Sequence, residues 1–134
     1  MVRTSSPAGS LPCEFDLIRT YFAPLTQFEA GSFNLTDDAA VLSIDQDHEI
    51  VVTTDTIVAG VHFLKDSPPE SIAAKLLRVN LSDLAAMGAT PRSYTLSLAL
   101  TNEISSEWLA AFAGSLAKDQ ESYGITLVGG DTVS

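Results

Sequence analysis

The chain has 134 residues, 46% hydrophobic and 18% charged, enough for one compact core and too few for two ordinary domains. Seventeen acidic against seven basic residues give a formal charge of −10, which repels a phosphate backbone and argues against nucleic acid as a partner. No window approaches the roughly 18 consecutive apolar residues of a membrane helix, and the one cysteine, Cys13, allows no internal disulfide, so a soluble, cytoplasmic protein with no membrane partner is expected.

Residues 1–12 carry one Arg and no apolar run, and read as a disordered N-terminal tail rather than a signal peptide. Residues 13–134 are then the single domain. Phe15, Ile18 and Phe22 have helical spacing, with Pro24 as a stop, so 13–22 is predicted to be a short amphipathic helix. The stretch 27–35, with Gly31 and no period, reads as a loop. After the acidic pair Asp37-Asp38, the apolar 41–44 and 49–54 are expected to form a hairpin turning through Asp45-Gln46-Asp47-His48. The second strand runs into Thr53-Thr54-Asp55-Thr56, and 57–64 reads as a loop with some extended character.

Ser67 as N-cap, Pro68 at the first position and Glu70 completing a capping box predict a helix to about Met87, closed by Gly88 and stopped by Pro91. In 94–100, Leu96, Leu98 and Leu100 alternate with small or polar residues, the period of a strand with one apolar face. A further helix starts near Ser105 with Trp108, Leu109, Phe112 and Leu116 as its stripe, and Gly124 ends it. A short strand, 126–128, opens into Gly129-Gly130-Asp131-Thr132. This order predicts an α/β (α+β) fold, a mixed sheet with helices packed on one face.

Four places set acids beside Gly, Thr or Ser at element ends: Asp37-Asp38, Asp55, Asp83 and Asp131. The plain alternative for Asp55 is a capping residue at a Thr-rich strand end. Asp83 falls near the C-terminal end of its helix, where the macrodipole disfavours a negative charge by roughly a few tenths of a kcal/mol. Its apolar neighbours suggest a half-buried face, so it is expected to need a cation or a hydrogen-bond donor. Between residues 66 and 117 the only cationic side chains are Lys75, Arg78 and Arg92. A hard divalent metal such as Mg²⁺ suits Asp and Thr oxygens, and the absence of clustered Cys or His does not suit zinc. Gly124 and Gly129 have P-loop spacing, but Gly130-Asp131 stands where Lys-Ser/Thr is required, and no GxGxxG occurs. No Ser or Cys stands in a recognised nucleophile pattern. His62 is either a solvated or packing residue or a substrate contact.

Taken together, TDDAA (36–40), TTDTIVAGVHF (53–63), KLLRVNLSDLAAMGATP (75–91) and LVGGDT (127–132) resemble the N-terminal half of the thiamine-monophosphate kinases. Their wider superfamily includes aminoimidazole ribonucleotide synthetase, selenophosphate synthetase and hydrogenase-maturation proteins. The resemblance implies ATP-dependent phosphorylation of thiamine phosphate to thiamine diphosphate by direct in-line transfer, with ATP as co-substrate and Mg²⁺ as cofactor. It implies metal ligation by Asp38, Thr53, Thr54, Asp55, Asp83 and Asp131, with Asp37 beside them. By the same resemblance Gly130 and Asp131 lie at the nucleotide and His62 at thiamine phosphate, with no covalent nucleophile. It further implies a homodimer whose strands complete a β-barrel, and a second α/β domain beyond Ser134 without which these residues are inactive. The chain departs from the family in carrying Thr36 where Gly is usual. The alternatives are another synthetase of the superfamily, or a non-catalytic acidic module that dimerises or binds cations.

Overall fold

The computed structural model describes residues 13–27, 29–101 and 103–133; the expected 1–12 tail lies outside them. The chain begins with a helical run of changing pitch: α1 (Glu14–Leu17), a π-helical turn (Ile18–Phe22) and a 3₁₀ turn (Ala23–Thr26). The wider π turn brings Leu17 and Phe22, five residues apart, to the same buried side, while Phe15 is left exposed. Pro24 does not stop the run; it sits in the first turn of the 3₁₀ segment, where its missing N–H is not required. The predicted loop 27–35 is partly ordered as 3₁₀ turns (Ala30–Leu35), kinked where Phe33 and Asn34 take left-handed backbone angles.

α2 (Pro69–Ala86) starts one residue later than predicted. Its N-cap is Pro68, which has no side-chain oxygen and so caps nothing, while the Ser67 N–H closes a turn on the Leu64 carbonyl at 3.0 Å. The C-terminus is as expected. Gly88 has φ +68, its N–H reaches the Ala85 carbonyl at 3.0 Å and the Ala89 N–H reaches Leu84 at 2.9 Å, so the last carbonyls are satisfied.

β1 (Ser93–Ala99), α3 (Ser106–Tyr123) and β2 (Thr126–Val133) form a strand, crossover helix and parallel strand. Ser105 caps α3 by accepting from the Trp108 N–H at 3.2 Å, and Gly124, in the left-handed region, closes it. Leu109, Phe112, Ala113 and Leu116 are spaced i, i+3, i+4, i+7 and are all buried; burial of each large side chain contributes about 1.5–3 kcal/mol. They share one core with Ile72, Ala73 and Leu77 of α2, Leu96 and Leu100 around β1, and Leu127 of β2.

β2 is longer than predicted and contains the Gly-Gly-Asp-Thr segment. Its register slips between Tyr94 and Thr95, which pair with Leu127 and Gly129, so Val128 is an extra residue. This bulge breaks the alternation and lets Leu127 and Val128 both be buried.

The α/β class holds, and the sheet consists of two parallel strands. The predicted hairpin is present only as its turn, with the His48 N–H on the Asp45 carbonyl at 3.1 Å; 41–44 and 49–54 are not paired as strands. Val41, Leu42, Ile44, Ile50, Val51 and Val52 are exposed. A two-stranded hairpin without a layer over its apolar face is marginal, and no described residue covers this one. The stretch is held instead by the Val41 N–H on Gly31 at 2.8 Å and by Arg92 Nη1 on the Ser43 carbonyl at 2.6 Å.

Candidate functional site

The predicted site residues fall into three groups. The first lines a cleft of about 390 Å³ where the acidic pair meets the parallel sheet. Asp37, Asp38, Gly130 and Asp131 are on its wall, with Ile18, Phe22 and Leu35 giving it an apolar side. The Asp38 N–H donates to Asp37 Oδ1 at 3.0 Å, and Asp131 lies opposite Ser97 in the sheet register. Gly130 is required by packing: a Cβ there would stand 2.0 Å from the Leu96 carbonyl oxygen. β2 can therefore lie against β1 at this point, with Asp131 next in line.

The second group joins the end of the 49–54 stretch to α2. Thr53 Oγ1 donates to Asp83 Oδ2 at 3.2 Å. Asp83 is exposed, so the half-buried setting expected for it is not met, and its partner is a hydroxyl. Thr54 and Asp55 are exposed on the same stretch.

The third is His62. Its Nδ1 accepts from the Val58 N–H at 3.0 Å, and its carbonyl accepts from Lys75 Nζ. The sequence reading did not single out Lys75; nothing in the sequence ties it to a carbonyl 13 positions away, a contact made only by the fold.

Among the described residues no three or more His, Cys, Asp or Glu side chains gather in a metal-holding cluster. The donors nevertheless suit Mg²⁺, which is commonly held by one or two carboxylates and completes its shell with water and phosphate oxygens. The cleft group and the Thr53–Asp83 group each offer oxygen donors, and none of the predicted ligands is a sulfur or nitrogen.

Residues 36–134 match the family described as AIR synthase related protein, N-terminal domain. The chain belongs to this family. It is 42% identical over 130 residues to the thiamine-monophosphate kinase of Caulobacter vibrioides, covering 97% of this chain and 37% of that protein. Over 123 residues it is 46% identical to the enzyme of that name from Salmonella typhimurium, covering 89% and 37%. The crystal structure of thiamine monophosphate kinase from Aquifex aeolicus superposes with a TM-score of 0.58 at 33% identity, over 60% of this chain and 28% of that one. The chain thus spans a little over a third of the length of the curated relatives. The resemblance carried by the four motifs is borne out.

Proposed function

We propose that the protein is the N-terminal, metal- and nucleotide-binding part of an ATP- and Mg²⁺-dependent thiamine-phosphate kinase. The observation that carries this reading is the cleft, which Asp37-Asp38 and Gly130-Asp131, 90 or more residues apart in sequence, both line in a chain 41–46% identical to thiamine-monophosphate kinases. In the reaction, an oxygen of the thiamine phosphate bonds to the γ-phosphorus of ATP as the bond to the β-phosphate bridging oxygen breaks, giving thiamine diphosphate and ADP. Mg²⁺, when bound, neutralises charge on the transferring phosphates. Asp38 and Asp131, with Asp37 beside them, would offer one or two carboxylates at a time to metal in the cleft, water and phosphate oxygens completing its shell, and Gly130 with Asp131 would face the nucleotide. Asp83, Thr53, Thr54 and Asp55 would form the second cation-binding edge, and His62 would contact thiamine phosphate. The exposed apolar 41–52 stretch is where a second copy would pair, completing a barrel across a homodimer.

The test is an assay of the longer protein that contains this chain, with ATP, Mg²⁺ and, in parallel, thiamine phosphate, aminoimidazole precursors or selenide. Formation of thiamine diphosphate with thiamine phosphate alone is expected. Product only with another acceptor would move the protein to a different synthetase of the superfamily, and none with any would leave the cation-binding module. The 134 residues by themselves are expected to turn over negligibly, since in-line transfer needs donor and acceptor held together; a rate near that of the longer protein would refute this.

A further inference from the structure

The loop that carries His62 is closed on itself and fastened to α2. The Gly60 N–H meets the Phe63 carbonyl at 2.7 Å, and the Val61 and His62 N–H groups meet the Val58 carbonyl at 3.1 and 2.9 Å. In return the Val58 N–H donates to His62 Nδ1 at 3.0 Å. A ring nitrogen that accepts a hydrogen bond carries no proton, so in the neutral imidazole the proton is on Nε2. The exposed ring therefore offers one N–H donor and no free acceptor nitrogen. Ile57 and Phe63 pack the ends of the loop against the core, and the Lys75 ammonium adds a polar tether at His62 itself, donating to its carbonyl from the second turn of α2. α2 also carries Asp83, eight residues on, which holds Thr53; eight residues of helix span about 12 Å.

We propose that Lys75 is a positioning residue: by anchoring the His62 carbonyl to α2 it keeps His62 in the Nε2–H form, at a fixed distance from the Thr53–Asp83 edge. A fixed N–H donor matches an acceptor-only ligand group such as a phosphate monoester. This rests on the reading that His62 faces thiamine phosphate. Lys75 itself touches no reacting atom.

The direct readout is the ¹⁵N–¹⁵N coupling across the Val58 N–H to His62 Nδ1 hydrogen bond in the labelled 134-residue chain, at about pH 8, where an ordinary imidazole is neutral. The coupling is expected in the wild type and in Lys75→Arg, and lost in Lys75→Met, with the amide spectrum elsewhere unchanged. Its absence from the wild type, or its persistence in Lys75→Met, would overturn the proposal. In the longer protein, Lys75→Met is expected to raise the thiamine-phosphate KM about tenfold at little-changed kcat, with Lys75→Arg restoring it. An unchanged KM alongside a lost coupling would separate the two ideas: Lys75 would still position His62, and His62 would not be the substrate contact.

Discussion

Arg78 of α2 grips Asp119 of α3 with two hydrogen bonds, Nε to Oδ2 at 2.9 Å and Nη2 to Oδ1 at 2.8 Å, and Asp119 is buried while Arg78 keeps much of its side chain in solvent. The fork geometry suits a carboxylate, and the bond to Asp119 raises the guanidinium pKa above its usual value. Removing the arginine alone strands a buried charge. Arg78→Met should therefore lower the urea midpoint more than the double change Arg78→Met with Asp119→Leu, which removes both charges. Strictly additive single effects would show that the pair does not couple the two helices.

Tyr94 sits beside this pair. Burial, with the Asp119 charge adding to it, pushes its phenol pKa well above the ordinary value. The unfolded chain ionises Tyr94 near about pH 10 while the folded chain keeps the proton, so the contribution is complete below about pH 10 and is lost as pH rises through the folded value. The difference in urea midpoint between wild type and Tyr94→Phe should be flat up to about pH 9 and then shift in favour of the variant. A constant difference through about pH 11 would show that the phenol titrates normally in the fold.

Gly130 and Gly129 are neighbours with different tolerances. A methyl at Gly130 meets the Leu96 backbone, whereas the nearest atom to one at Gly129 is Thr95 Cγ2 at 3.7 Å. Gly130→Ala should cost about 1–3 kcal/mol or more by forcing the strands apart, and Gly129→Ala should stay within about 0.5 kcal/mol. Equal denaturation midpoints for the two would mean that β2 does not lie against Leu96.

Metal binding is testable without turnover. Mg²⁺ at ten times its Kd should stabilise the chain by about 1.4 kcal/mol, read as a rise in melting temperature. Asp55→Asn and Asp83→Asn should weaken that response while leaving the metal-free melting temperature nearly unchanged, since both side chains are exposed. No Mg²⁺-dependent shift in the wild type at millimolar concentrations would remove the metal assignment.

Val52 is 81% exposed in an apolar stretch. Val52→Lys should change the stability of the isolated chain by no more than about 0.5 kcal/mol, yet abolish self-association in sedimentation velocity. A wild-type chain that stays monomeric at all concentrations, or a variant that assembles equally well, would rule out this face as the dimer surface.

By itself the sequence determined the elements whose signals are local. Ser105 and Gly124 bound α3, Gly88 closes α2, and Leu96 and Leu100 mark the buried face of β1, because caps and apolar periods act over one or two turns. It also carried the resemblance to the family that residues 36–134 match, whereas the element ends expected at Asp55 and Asp131 were not met: 49–54 forms no strand and Asp131 lies within β2. Only the tertiary structure decided which of these residues meet. Past the bulge at Val128, β2 runs on through the glycines and sets Asp131 in the cleft with Asp37 and Asp38, while Asp83 accepts from the Thr53 hydroxyl. Lys75 acquired its role from a carbonyl 13 residues away. The apolar strands 41–44 and 49–54 carry the right pattern for a hairpin, yet a strand requires a ladder partner and a covering layer, and neither is supplied by the described residues of this chain.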